Sequence, residues 1–267
     1  VMVALTFLAK TSLFKNFINN KPKLALETNS KKETGLLVLS GIFLGLGILT
    51  KVPGLLDFGA AALFGWFAFT SSITLKSQKL KEKIALLGKF ISKSMFLFIG
   101  TLIPIIGSII YFVSIGSGRD YLDYGLLYNF RYSGSWNPDF PSAFIGMLFT
   151  LPGKIIILFA IIAILSFARK KFTPVFQFIA GWFALTLFAA LLSNRPYPHY
   201  LLQVVPALAL LIPYFLKSIL KWKKQFREII LGALLLILPV YIMIILNVRP
   251  YGTSEYYSQF YKFVSGE

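Results

Sequence analysis

The sequence predicts an all-α membrane protein, a polytopic bundle of transmembrane helices. Of its 267 residues, 57% are hydrophobic and only 14% are charged, whereas an ordinary soluble domain has about 25% charged residues. A water-soluble fold of this size could not bury so much apolar surface and keep so few charges for its exterior. The 27 Phe and 13 Tyr exclude a disordered chain, and the lack of Cys excludes a disulfide scaffold.

Seven apolar runs predict complete membrane spans, because a span needs roughly 17–25 apolar residues. The first run is short and ends at a turn signal, Lys51-Val-Pro-Gly54. The seven runs are Gly35–Thr50, Phe58–Leu75, Ser94–Ile115, Leu151–Phe167, Phe172–Ser193, Tyr200–Leu216 and Ile229–Leu246.

The apolar segment Val1–Ala9 predicts a truncated further span, because nine helical residues rise only about 13 Å. It has neither the charged start nor the cleavage site of a signal peptide. We therefore expect the chain to be the later part of a larger membrane protein. Residues 1–247 would form the transmembrane bundle, and residues 248–267 an extracytoplasmic aromatic tail.

The distribution of charge predicts which connections face the cytoplasm. Lys and Arg cluster in four connections, at 18–34, 76–93, 169–171 and 217–227, and these alternate with connections that hold six of the ten acidic residues. Cytoplasmic loops of membrane proteins collect Lys and Arg. The pattern indicates a multi-pass protein of the cell membrane, and it accounts for the net charge of +17 without nucleic acid as a partner.

Three predicted extracytoplasmic segments carry the candidate functional residues. They are the turn Lys51–Asp57, the loop Gly116–Thr150 and the segment Ser193–Tyr200. The end of the loop, 140–150, is apolar, and we expect it to lie along the membrane interface.

Lys51 lies at the outer end of a span, where positive charge is least expected. It can bind an anionic headgroup or phosphate, or it can simply extend to the interface at the negative end of its helix. Composition alone slightly favours the second interpretation. Asp57 can pair with Lys51, which is a simpler role than general base.

Two further segments combine cations with aromatic rings, a mixture that suits sugar and phosphate. In the loop we single out Arg131, whereas its neighbouring tyrosines fit an aromatic belt at the membrane surface. In the second segment Arg195, His199 and Tyr200 lie close together. A single His gives little support for a metal site, which needs several ligands, and no phosphate-loop, dinucleotide or hydrolase motif is present.

Two segments resemble one known family. Residues 41–51 follow the pattern G-x-x-x-G-L-x-x-L-T-K, and residues 195–206 follow R-x-x-x-H-Y-x-L-Q-x-x-P. Together, in this order, they resemble the C-type superfamily of membrane glycosyltransferases, which includes the protein O-mannosyltransferases and the aminoarabinose transferase of lipid A.

The resemblance implies a hexosyl- or pentosyltransferase that takes a sugar from a polyprenyl phosphate and gives it to a lipid, glycan or protein acceptor. Family members use an aspartate of the first extracytoplasmic loop as base, and that loop would precede this chain. We therefore assign no catalytic residue here and expect the chain to be inactive alone. Lys51 matches the lysine that contacts the lipid phosphate, and Arg131 corresponds loosely to an arginine with a similar role. No cofactor is identifiable, and a divalent metal stays an open expectation for the full-length protein.

Two other functions explain the same outer cations. A transporter or flippase for lipid-linked sugars would in addition need ionisable groups near the bilayer midplane. A non-catalytic membrane subunit would need no upstream acidic loop.

Overall fold

A computed structural model of the chain describes residues 2–19, 21–27, 30–73, 80–128, 132, 140–167, 172–195, 197–219, 222–245 and 253–266. Within these ranges the structure contains helices and turns and no strand. The predicted all-α class is therefore confirmed for the described part of the chain.

The helices follow the predicted apolar runs closely. The first four are α1 (Met2–Lys10), α2 (Ser12–Ile18), α3 (Pro22–Glu27) and α4 (Lys31–Thr50). The next four are α5 (Leu55–Ile73), α6 (Leu80–Ser114), α7 (Ala143–Phe149) and α8 (Leu151–Phe167). The last four are α9 (Pro174–Ala190), α10 (Val205–Ile219), α11 (Trp222–Ile245) and α12 (Thr253–Ser265). Short helical turns precede α5 and α10, at Val52–Gly54 and Pro198–Gln203, and Gly118–Leu127 forms a helical turn that becomes a π-helix.

Four of these segments are long and apolar enough to cross a membrane: Lys31–Thr50, Val52–Ile73, Leu80–Ser114 and Glu228–Ile245. Helices α7 and α8 add a fifth if they are counted as one span, although they meet at an angle of 72°. Helices α9 and α10 are apolar but shorter, at 17 and 15 residues. The membrane class is supported, but helix length does not confirm the predicted count of seven spans.

Helix α9 forms the centre of the bundle. Most of its residues, from Phe176 to Ala190, are buried, and it packs against α5, α8 and α10. A helix that is apolar on all sides is stable only when other helices surround it or when it contacts lipid. The position of α9 therefore fixes where the ends of its neighbours meet.

Glycines bring α4 and α6 into direct backbone contact. A Cβ atom on Gly41 would lie 2.2 Å from the carbonyl oxygen of Leu97, and one on Gly100 would lie 2.1 Å from that of Val38. Only a residue without a side chain allows two helices to approach this closely. Gly41, the first residue of the 41–51 segment, therefore allows α6 to contact α4 directly.

A buried ionic cluster joins three helices at the N-terminal end of α4. The carboxylate of Glu33 accepts hydrogen bonds from the backbone amides of Ser12 and Leu13, at 2.7 and 3.0 Å. It also pairs with the ammonium of Lys93 on α6, at 3.0 Å. Because the first amides of a helix lack partners within the helix, Glu33 caps α2 from another helix and fixes the break between α1 and α2 at Thr11.

Candidate functional site

A cavity of about 330 Å³ lies where the C-terminal ends of α4 and α9 meet the helical turn 198–203. Lys51 and Tyr200, two of the predicted site residues, both line it. Pro53, Tyr132, Phe188 and Ser193 are among the other lining residues. Every segment that reaches the cavity belongs to the side of the chain that the charge pattern predicts to be extracytoplasmic.

Lys51 follows the last residue of α4 and has an extended backbone, with φ −156° and ψ 113°. This conformation turns the chain out of the helix toward the cavity. The ammonium of Lys51 lies over the ring of Tyr200, with Nζ 4.8 Å from the ring centroid. A cation over the face of an aromatic ring is attracted by the negative charge of that face. Partial burial of the ammonium lowers the pKa of Lys51.

Tyr132 connects Tyr200 to the second cation of the site. The hydroxyl of Tyr200 donates a hydrogen bond to that of Tyr132, at 3.2 Å. The guanidinium of Arg195 lies over the ring of Tyr132, with Cζ 4.2 Å from the centroid. Lys51, Tyr200, Tyr132 and Arg195 therefore form a continuous row of two cations and two rings, which we call the cation–tyrosine row.

His199 lies beside this row and outside the cavity wall. Its exposed imidazole packs on the rings of Tyr197 and Tyr200, with centroids 5.6 and 4.5 Å apart. The structure thus brings four predicted site residues together: Lys51, Arg195, His199 and Tyr200. The fifth, Arg131, lies outside the described residues.

A hydrogen bond ties the turn after Lys51 to a distant segment, and another joins the first turn of α5 to α9. Gln203 Nε2 donates to the carbonyl oxygen of Pro53, at 3.1 Å, and this bond ties the turn to the segment that carries Tyr200. On α5, the buried carboxylate of Asp57 accepts a hydrogen bond from Trp182 Nε1, at 2.9 Å. Among the described ion pairs there is none between Asp57 and Lys51, so Asp57 anchors α9 instead of neutralising the lysine.

Sequence reasoning missed Tyr132 and Gln203. In the sequence Tyr132 resembles the other tyrosines that fit an aromatic belt, and no local pattern distinguishes it from them. Gln203 had a signal, since it occupies the glutamine position of the R-x-x-x-H-Y-x-L-Q-x-x-P segment. Its hydrogen bond to Pro53, in the turn after Lys51, joins distant parts of the chain and could not be predicted from the local sequence.

A second, apolar crevice adjoins the cavity. It has a volume of about 150 Å³ and lies between α8, α9 and α11, and Phe188 lines both spaces. Apart from Lys154 and Tyr241, its lining side chains are hydrocarbon or phenyl groups. Such a crevice can accommodate a hydrocarbon chain but offers little to a polar ligand.

The described residues contain no group of three or more His, Asp or Glu side chains that could hold a metal ion. The described residues at the cavity offer cations, phenol hydroxyls and aromatic faces. Such groups can bind a phosphate or another compact anion beside a ring or an alkyl chain.

Comparison of the chain with protein families, with curated proteins and with solved structures finds no match.

Proposed function

We propose that this chain is the C-terminal portion of the membrane domain of a C-type glycosyltransferase, which transfers a sugar from a polyprenyl phosphate to an acceptor at the extracytoplasmic face. The observation that carries the proposal is the meeting of Lys51 and Arg195, from distant parts of the chain, in one cation–tyrosine row beside a cavity. The same two residues belong to the two segments that resemble the family.

The physical argument concerns the leaving group. When the bond between the sugar and the lipid phosphate breaks, negative charge grows on the phosphate oxygens. Cations already held in place stabilise that charge without reorganisation, and more so where water is partly excluded. Lys51 would contact the phosphate directly. Arg195, which packs on Tyr132, would supply a second positive charge nearby. We also propose Arg131 and His199 as ligands of the phosphate or sugar, on the basis of their sequence positions.

The apolar crevice supplies a place for the isoprenoid chain in this proposal. It shares Phe188 with the cavity, so a lipid whose phosphate lies near Lys51 can place part of its chain between α8 and α11. The proposal assigns no acceptor site, catalytic base or divalent metal to the described residues. We assign Asp57 no catalytic role because Trp182 already binds its buried carboxylate.

We further propose that α9 and α10 also cross the membrane, which gives seven spans with the Lys-rich connections in the cytoplasm. The turn Pro198–Gln203 and α10 follow each other almost without a break, and together they are long enough for a span of about 20 residues. The C-terminal ends of α4 and α9 and the first turn of α8 all reach the same cavity. This supports the proposal that these three helix ends lie on the same side of the membrane.

The test is binding of polyprenyl phosphate to the chain in phosphatidylcholine nanodiscs. We expect Lys51→Ala to weaken binding at least about tenfold, because a charge-assisted hydrogen bond contributes about 1.5–3 kcal/mol. Arg119→Ala is the matched control, since it removes the same charge from a side chain that is 94% exposed. If Lys51→Ala weakens binding no more than Arg119→Ala, the assignment of Lys51 to the phosphate is wrong. In the full-length protein the same pair of variants should differ in sugar transfer.

A transporter of lipid-linked sugars is the second candidate. The buried pair Glu33–Lys93 favours it, because ionisable groups inside membrane helices often mark transport pathways. Glu33 of that pair already has a structural role, because it caps α2. The pair is therefore a weaker basis for a function than the cation–tyrosine row. Movement of labelled lipid between leaflets by reconstituted protein, abolished by Glu33→Gln, would favour the transporter.

A further inference from the structure

Lys154 is a buried cation outside the cavity. It lies in the first turn of α8, and only 7% of the residue is exposed. Its ammonium donates to the carbonyl oxygens of Leu191 and Leu192, at 2.7 and 3.3 Å, and to Oδ1 of Asn194, at 3.1 Å. An ammonium has three protons, so these three acceptors satisfy it without a carboxylate.

Asn194 completes the network from the other side. Its Nδ2 donates to the carbonyl oxygen of Phe149, at 3.0 Å, and its backbone has a φ of 53°, in the left-handed region. Asparagine tolerates this region better than most residues. Lys154 and Asn194 therefore join three pieces of backbone: the end of α7, the first turn of α8 and the chain that leaves α9. We call these contacts the Lys154–Asn194 network.

The network adjoins the cavity wall. Leu192 and Ser193, which precede Asn194, line the cavity, and so does Leu151, one turn before Lys154. Arg195, the next residue after Asn194, packs on Tyr132. The position of this connection therefore sets where one cation of the row lies.

The energetic cost of Lys154 points to a specific role. A charged side chain inside a membrane bundle is expensive, and a helix end needs no lysine, since glycine or water usually satisfies its last carbonyl groups. Lys154 does more than cap α9, because it also binds the Asn194 side chain that is fixed to Phe149.

We propose that Lys154 and Asn194 are positioning residues, which hold the connection 191–200 in the conformation that brings Arg195 onto Tyr132 and Tyr200 beside Lys51. Neither residue is among those that line the cavity, so neither would contact an anion there. The part of this proposal that concerns ligand binding rests on the proposed function, whereas the part that concerns the position of the connection does not.

The test uses the absence of Cys in the sequence, because two introduced cysteines carry spin labels without background. Phe144 on α7 and Leu202 in the helical turn are both exposed, at 66% and 67%, and Phe144→Cys with Leu202→Cys reports the distance across the network. We compare Lys154→Met, which removes the donors at similar length, with Asn194→Gly, which keeps the left-handed backbone and removes the side chain. Lys154→Arg should restore the contacts in part.

We expect a narrow distance distribution in the parent protein, a broad one in Lys154→Met and Asn194→Gly, and an intermediate one in Lys154→Arg. Ser166→Ala is the control, since it removes a partly buried hydrogen bond with Trp66 near the other end of the same helix, and it should leave the distribution narrow. If Lys154→Met does not fold, Asn194→Gly still decides the question. Unchanged distributions in the folded variants overturn the proposal.

Affinity for polyprenyl phosphate in phosphatidylcholine nanodiscs is the second measurement. We expect it to fall about tenfold if the competent conformation falls to about a tenth of the population. Broad distances with unchanged affinity, where Lys51→Ala does lose affinity, would overturn a role in the site. If Lys51→Ala also keeps its affinity, the proposed function fails, while the distance result still decides whether the network holds the connection.

Discussion

The ammonium of Lys51 lies 4.8 Å from the centroid of the Tyr200 ring, although the two residues belong to distant segments of the chain. The contact explains how a cation at the end of α4 is kept in one place. A lysine side chain has many rotamers, and their loss opposes binding unless another contact has already restricted them. The ring of Tyr200 therefore restricts the Lys51 side chain, which would favour binding of the proposed phosphate.

Two replacements of Tyr200 should distinguish the contribution of its ring to binding from that of its hydroxyl. Tyr200→Phe keeps the ring under Lys51 and loses only the hydrogen bond to Tyr132, so we expect a small change in affinity for polyprenyl phosphate. Tyr200→Leu removes the cation–ring contact, which contributes about 0.5–2 kcal/mol, and should weaken binding several-fold more. Equal affinities of the two variants, measured in the same nanodiscs, would show that the ring does not prepare the lysine.

Binding of the phosphate should depend on pH through Lys51. Burial lowers the pKa of Lys51, so its ammonium loses its proton at a lower pH than that of an ordinary lysine, whose pKa is 10.5. Affinity should therefore be full at neutral pH and decline in the alkaline range before lysines with an ordinary pKa lose their protons. In Lys51→Arg the decline should disappear, because a guanidinium stays charged throughout this range. The same alkaline decline in Lys51→Arg would assign it to another group.

Contact between α4 and α6 should not tolerate a side chain at Gly41. In Gly41→Ala the new Cβ would lie 2.2 Å from a backbone oxygen of α6, and we expect a loss of stability of about 1–3 kcal/mol. The control is Gly35→Ala on the same helix, where nothing lies within 4 Å of the new atom. Thermal unfolding in nanodiscs should show a lower midpoint for Gly41→Ala alone. Equal midpoints would mean that the helices are farther apart than described.

The buried pair Glu33–Lys93 should matter more than the exposed pair Glu27–Lys89. Lys93→Met leaves a buried carboxylate with only neutral donors, and we expect it to cost about 3 kcal/mol. Lys89→Met, on the same helix, breaks a pair whose atoms are 3.8 Å apart and whose side chains are 44% and 39% exposed, and it should change the free energy of unfolding by about 1 kcal/mol or less. A similar loss in both variants, measured by denaturant titration, would argue against a structural role for Glu33.

Much of the helical architecture could be predicted from the sequence because apolar length is a local property. Each predicted apolar run overlaps a helix, although α6 begins at Leu80, well before the predicted run Ser94–Ile115. The turn signal at Lys51-Val-Pro-Gly54 marks the boundary between α4 and α5. Whether α9 and α10 cross the membrane could not be decided in this way, since their helices are 17 and 15 residues long.

The site could be predicted only in part. The sequence singles out Lys51, Arg195, His199 and Tyr200 because their charge or ring chemistry is unusual at the end of an apolar run, and the structure places these four residues close together. The contacts that join them could not be predicted, because Tyr132 lies far from both Tyr200 and Arg195 in the sequence. The same holds for Asp57, which the sequence offered as a partner of Lys51 and the structure joins to Trp182.

The most direct measurement of the central claim is the distance between the lipid phosphate and the Lys51 ammonium. Solid-state NMR can recouple the phosphorus of bound polyprenyl phosphate with nitrogen-labelled lysine side chains in membranes. We predict dephasing of a lysine nitrogen signal at contact distance, which disappears in Lys51→Arg and persists in Arg119→Ala. Dephasing that survives in Lys51→Arg, or none in the parent protein, would contradict the claim that this cavity binds the phosphate.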